Sequence, residues 1–261
     1  EDRRKAVFSL NRLAINLGWA FGGTLGGFIA SFNYHLLFWI DGLTNIFAAF
    51  LLFYLLKPKP VAEHEPKSKP VVPVARSAFH DKTYLLFISF SILYATCFFQ
   101  LFSTLPVFYK NHLHLSEFYI GMLMGLNGII IVVIEMVLVF RLEAKQQIMF
   151  FISTGAILTA GSFIIFNLLP AHPVTAILSV ILVTFGEIFA MPFMNTYWTR
   201  RTIPSNRGQY AGLYTMAWSV AQVAGPTGGT WVAGHYGFNN LWWIAGGICL
   251  LTGILFRTAK L

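Results

Sequence analysis

Charge is scarce in this sequence. Asp, Glu, Lys and Arg make up only 11% of the residues, against about 25% in ordinary soluble domains, and the mean hydropathy is +0.66. A water-facing globule is excluded. Cysteine is nearly absent as well: Cys97 and Cys249 both fall within apolar stretches, so packed thiols are expected and a disulfide framework is not. No Ser/His/Asp, phosphate-loop or structural-zinc spacing occurs, so enzyme chemistry, a cofactor and a metal are not expected. The net charge of +8 is spread over five loops and not gathered on one face, which argues against nucleic acid as a partner.

What is present is long apolar runs. A helix needs roughly 20 residues to cross about 30 Å of hydrocarbon, and eight runs qualify: 13–32, 36–56, 84–109, 118–140, 147–168, 173–198, 209–233 and 239–256. None contains Lys or Arg. The loops at 1–12, 57–83, 141–146 and 199–208 and the tail after 256 hold 17 of the 18 basic residues, leaving Lys110 alone on the other side. Basic loops stay cytoplasmic, so the N-terminus, the 57–83 loop and the C-terminus are predicted inside an integral protein of the cell (inner or plasma) membrane. Five of the eleven prolines lie in KPKPVAEHEPKSKPVVPVAR, which reads as an extended linker dividing two spans from six.

An internal echo runs through both parts. At a separation of 203 positions Arg4 matches Arg207, Leu10 matches Leu213, Ala14 matches Ala217, Gly22 matches Gly225, Thr24 matches Thr227, Gly26 matches Gly229 and Ala30 matches Ala233. If 84–261 is one whole six-span repeat, about 120 residues, or four spans, are expected ahead of Glu1 in a twelve-span protein of two halves. Residues 1–56 are then the last two spans of the N-terminal half, 57–83 a cytoplasmic linker, and 84–261 the complete C-terminal half.

Local strings carry a family resemblance. NLGWAFGGTLGG matches N-x-G-x-x-x-G-P-x-x-G-G at Asn16, Gly18, Gly22, Gly26 and Gly27, with Gly23 where the pattern has proline; AGPTGG at 224–229 retains Pro226. TFGEIFAMPFMNTYW, CFFQLFSTLPVFY and NRGQYAGLY have similar counterparts. The chain thus resembles a major facilitator superfamily transporter of the drug and proton antiporter branch from its fifth span onward. That resemblance implies an all-α transmembrane bundle working by alternating access, with lipid, protons and a small-molecule substrate as partners. RLEAKQQ at 141–147 departs from the loop motif that the family often carries there.

Two kinds of residue carry expectations of mechanism. Gly18, Gly22 and Gly26 recur at i, i+4 and i+8, so one helix face lacks side chains and predicts a tight seam; Gly225, Pro226 and Gly229 predict the same around a kink. The seam reads either as static packing or as a surface that moves. An acid inside a bilayer is expensive and marks a functional position. Glu187, near the middle of its span, is the first candidate proton carrier, with a neutral hydrogen-bonded acid as the alternative. Glu135, on one face with Asn127 and Ile131, is the second, and Asp41, near a span end, the third.

Gln100, Asn127, Met191 and Asn195 are expected to line a substrate pathway, with Met191, Met194 and Trp198 following Glu187 as a stripe suited to greasy ligands or to plain packing. No cation occurs within the spans, so apolar, neutral or cationic solutes fit better than anions. His35, His112, His114, His172 and His235 read as solvated loop residues. The expected function is proton-coupled efflux of a hydrophobic or amphipathic solute. A nutrient symporter or uniporter, or a non-transporting receptor or scaffold, are the alternatives.

Overall fold

The computed structural model describes residues 2–55, 77–143 and 147–259, without the side chains of 2–13, 16, 19, 20 and 143. Residue 56 and most of the expected linker, 57–76, lie outside the described residues. Every described element is helical: α1 (Asp2–Phe32), α2 (Tyr34–Leu55), α3 (Lys82–Phe98), α4 (Thr104–Asn111), α5 (Glu117–Ile130), α6 (Met136–Glu143), α7 (Ile148–Leu168), α8 (Pro173–Arg200) and α9 (Arg207–Thr258), with short 3₁₀ turns at Ala78–His80 and Phe99–Phe102 and a π turn at Ile131–Glu135.

The last two expected spans run together in α9. Its 52 residues would reach about 78 Å as a straight rod, more than twice a bilayer core. Gly237 divides it with φ 82 and ψ 165, a conformation open to glycine because it lacks a Cβ. Six described stretches are long and apolar enough to span: Tyr34–Leu55, Lys82–Asn111, Glu117–Leu142, Ile148–Leu168, Pro173–Arg200 and Arg207–Thr258, with Phe21–Phe32 a shorter apolar helix. The chain is an integral membrane protein.

Proline chemistry breaks the Lys82–Asn111 span. Pro106 has no N–H to give the Phe102 carbonyl, and its ring crowds that oxygen. The helix accordingly unwinds through Phe99–Phe102 and Ser103 (φ −119, ψ −78) before α4 resumes.

Small residues set the packing. α7 runs along both α8 and α9, α3 along α9, and α1 along α5, which joins the bundle through α8. An added Cβ on Gly155 would stand 2.6 Å from the Ala190 nitrogen, and one on Gly253 would stand 3.1 Å from the Ser153 carbonyl oxygen. Such backbone contact is what helix association in lipid relies on, since lipid tails remove the hydrophobic drive between helices. Hydrogen bonds reinforce it: the Ser153 hydroxyl donates to Gly253 O at 2.7 Å and Ser179 to Ser162 O at 2.8 Å. Trp242, fully buried, packs against Phe108, Phe163 and Phe166. By contrast α2 buries none of its residues.

Candidate functional site

The polar centre of the bundle joins α5 to α8. The Thr184 hydroxyl gives its one proton to Val180 O at 2.6 Å, so toward any other group it can only accept. The Asn127 amide nitrogen donates to it at 2.9 Å and also approaches Glu187 Oε2 at 3.4 Å. Asn127 is 7% exposed and Glu187 half-buried. Glu187 is therefore held through an amide that a threonine orients.

Asn127 lines a cavity of about 490 Å³ whose other walls include Ile15, Gly18, Gly22, Gly23, Phe102 and Met124. A second cavity, of about 480 Å³, shares Gly22, Gly23 and Met124 with the first and ends at Tyr34, Lys110, Asn111 and Glu117. The two form one groove from the middle of α5 to the end of the bundle that carries Lys110. There Lys110 Nζ pairs with Glu117, and the Tyr34 hydroxyl reaches the same carboxylate at 3.4 Å.

The glycine face is not packed evenly. Among the described residues a Cβ on Gly18 or Gly22 would meet nothing within 4 Å, and one on Gly26 would only touch Leu37 at 4.0 Å. These three glycines line the groove. The close approach falls one position along, where a Cβ on Gly27 would sit 2.6 Å from Glu117 O and 2.7 Å from Gly121 Cα, and one on Gly23 2.9 Å from Met124 Cβ. A proline at 23 would carry such a Cβ in its ring, against Met124. Gly225 and Gly229 do lie against a neighbour: a Cβ on Gly225 would stand 2.6 Å from Thr96 O, and Gly229 is covered by the Gln100 side chain.

The Gln100 amide is held from three helices. Its Nε2 donates to Gly225 O at 2.7 Å and Thr96 O at 3.2 Å, and its Oε1 accepts from Thr104 at 2.6 Å. All of its polar atoms are engaged with α3, α4 and α9, and it is not among the residues that line the Asn127 cavity. Pro226 follows the carbonyl that Gln100 holds. Met191 is half-buried against the core; Asn195 is exposed and accepts from Trp198 Nε1 at 3.2 Å. Neither lines the groove.

The remaining acids separate clearly. Glu135, 6% exposed, ends the π turn and stands with Ile131 and Asn127 among the buried residues of that helix. It lies eight residues, or about 12 Å, beyond Asn127. π turns of this kind recur at functional sites. Asp41 is exposed on α2, where its carboxylate accepts from Asn45 at 3.2 Å. No group of three or more His, Cys, Asp or Glu able to hold a metal occurs among the described residues.

Sequence reasoning passed over two features. Thr184 carries its signal three residues before Glu187, where a hydroxyl lies on nearly the same helix face. Asp81 precedes an apolar run as a helix cap does, and its carboxylate accepts from Tyr84 N at 3.1 Å, from the Tyr210 hydroxyl at 2.9 Å and from Arg201. The Arg201 guanidinium holds the Asp81 carboxyl down at about 2 and is itself raised by that bond.

Residues 1–226 match the family model described as Major Facilitator Superfamily. An uncharacterized MFS-type transporter of Bacillus subtilis (strain 168), YttB, is 24% identical over 251 residues, which is 92% of this chain and 60% of that protein. The chain thus spans about 60% of the length of the relative it matches.

Proposed function

The chain belongs to the major facilitator superfamily, and from that premise we propose that it forms part of a proton-coupled secondary transporter exporting hydrophobic or amphipathic solutes. The family points to transport rather than catalysis. Alternating access then comes from rocking of 84–261 against the half that contains 1–56.

One observation carries the reading: Glu187, an acid in the middle of a membrane helix, is held through Asn127 beside an apolar groove. The Asn127 N–H contacts this carboxylate, and alternating access brings it in turn toward the water on each side, where it exchanges a proton. In the proposed cycle it takes a proton from outside and releases it inside while the solute moves outward. Glu135, eight residues beyond Asn127 on the same span, is the second candidate proton site. Asp41 has the weakest support, since its described contacts are local to α2.

The test is proton flux in liposomes containing the full-length protein, with a panel of lipophilic solutes under an imposed pH gradient. Solute-dependent flux that disappears in Glu187→Gln is expected. Flux that survives the substitution removes Glu187 from the mechanism, and solute movement without protons favours a uniporter. No movement of any solute favours a receptor or scaffold.

A further inference from the structure

The orientation of one amide determines what the groove asks of a ligand. Thr184 Oγ1 spends its proton on Val180 O, so the atom of Asn127 that faces it must be the nitrogen. The second Nδ2 proton turns to Glu187. Asn127 Oδ1 is left as an acceptor that receives no hydrogen bond among the described residues, on a side chain nine-tenths buried that forms part of the cavity wall. A ligand that covers this oxygen without offering a donor leaves an acceptor buried and unpaired, which is unfavourable by more than a typical hydrogen bond gains. The cavity is otherwise apolar in lining, and its α1 wall at Gly18 and Gly22 is bare backbone that a flat body can approach.

Resting on the transport reading above, we infer that the groove selects flat amphipathic amines that keep an N–H on the charged nitrogen, and that Asn127 Oδ1 is the atom that receives it. In its ionised state Glu187, bonded to the same amide, favours positive charge in the cavity. A quaternary ammonium satisfies the charge but offers no donor. Asn127 therefore separates protonated tertiary amines from their N-methylated quaternary derivatives of equal charge and nearly equal size.

The experiment is binding, which needs no flux. Purified full-length protein is titrated at neutral pH with N,N-dimethyl-1-pyrenemethylamine and with its N-methylated quaternary analogue, and pyrene fluorescence is read. The tertiary amine is expected to bind about tenfold more tightly. Asn127→Leu should abolish the preference by weakening the tertiary amine alone. Thr184→Val, nearly the same shape and without the hydroxyl, frees the amide to turn and should reduce the preference while leaving the fold intact. Equal affinities in the wild type, or a preference untouched in both variants, overturns the inference. Because proton flux is measured separately, loss of flux with the preference intact would count against the transport reading and not against this one.

Discussion

Arg201 grips Asp81 with two hydrogen bonds, Nε to Oδ2 at 2.8 Å and Nη2 to Oδ1 at 3.0 Å, and so ties the residue that caps α3 to the turn after α8. The Tyr210 hydroxyl adds a third bond from α9, and the Tyr84 hydroxyl donates to Tyr210 O at 2.7 Å. Three helix ends therefore converge on one carboxylate that is 8% exposed.

Arg201→Ala is expected to lower stability by about 2 kcal/mol, because it leaves a charge-assisted acceptor underpaired. The pH profile gives a second reading. The Asp81 carboxyl is depressed from 3.8 to about 2 in the folded protein, so its contribution is fully present above pH 3.8 and is lost as pH falls toward 2. In detergent the stability difference between wild type and Asp81→Asn should hold from pH 6 to about pH 4 and shrink as pH falls toward 2; an unchanged difference from pH 6 to pH 2 would refute the assignment.

Gly229→Ala should collide with the Gln100 side chain and destabilise by about 1–3 kcal/mol. Shortening Gln100 to Ala removes the obstacle along with three hydrogen bonds. The double variant should then be more stable than the sum of the two single losses predicts. Thermal unfolding of all four proteins measures the coupling, and strict additivity would mean that the two residues do not touch.

Gly27→Ala and Gly18→Ala should part company although both add a single methyl. The first drives a Cβ into the backbone of α5 at Glu117 and Gly121, and the second meets open groove. A lowered unfolding midpoint is expected for Gly27→Ala alone, while Gly18→Ala should keep its midpoint and weaken binding of the pyrene amine by narrowing the cavity. A reversed order would restore Gly18 to the seam.

Much of this protein is legible before folding. Membrane class and helical architecture follow from the scarcity of charge and the length of the apolar runs, because the transfer of each residue into hydrocarbon is nearly independent of its partners. The break before α4 has a local cause in Pro106 although 84–109 reads as one span, and the division of α9 falls at Gly237, between two expected spans. Glu187, Glu135 and Asn127 stood out as polar residues in an apolar setting for the same reason.

The glycine motif was legible only in part. A helix that carries Gly18, Gly22, Gly23, Gly26 and Gly27 has two neighbouring faces without side chains, about 100° apart, and periodicity alone does not say which meets a partner. That depends on the rotation of α1 against α5, which is settled by contacts such as Gly27 with Gly121, nearly a hundred residues away. Gln100 was read as a pathway residue for a similar reason: its partner carbonyl, at Gly225, is 125 positions distant. The amino-acid sequence by itself determined the solvent in which this chain folds and the helices it forms there, because both are sums of local preferences. Tertiary structure alone decided which bare face became a seam and which a groove, and which amide turned inward to a neighbouring helix and which toward the cavity, because close packing admits one rotation of each helix and every polar atom must then find what that rotation offers.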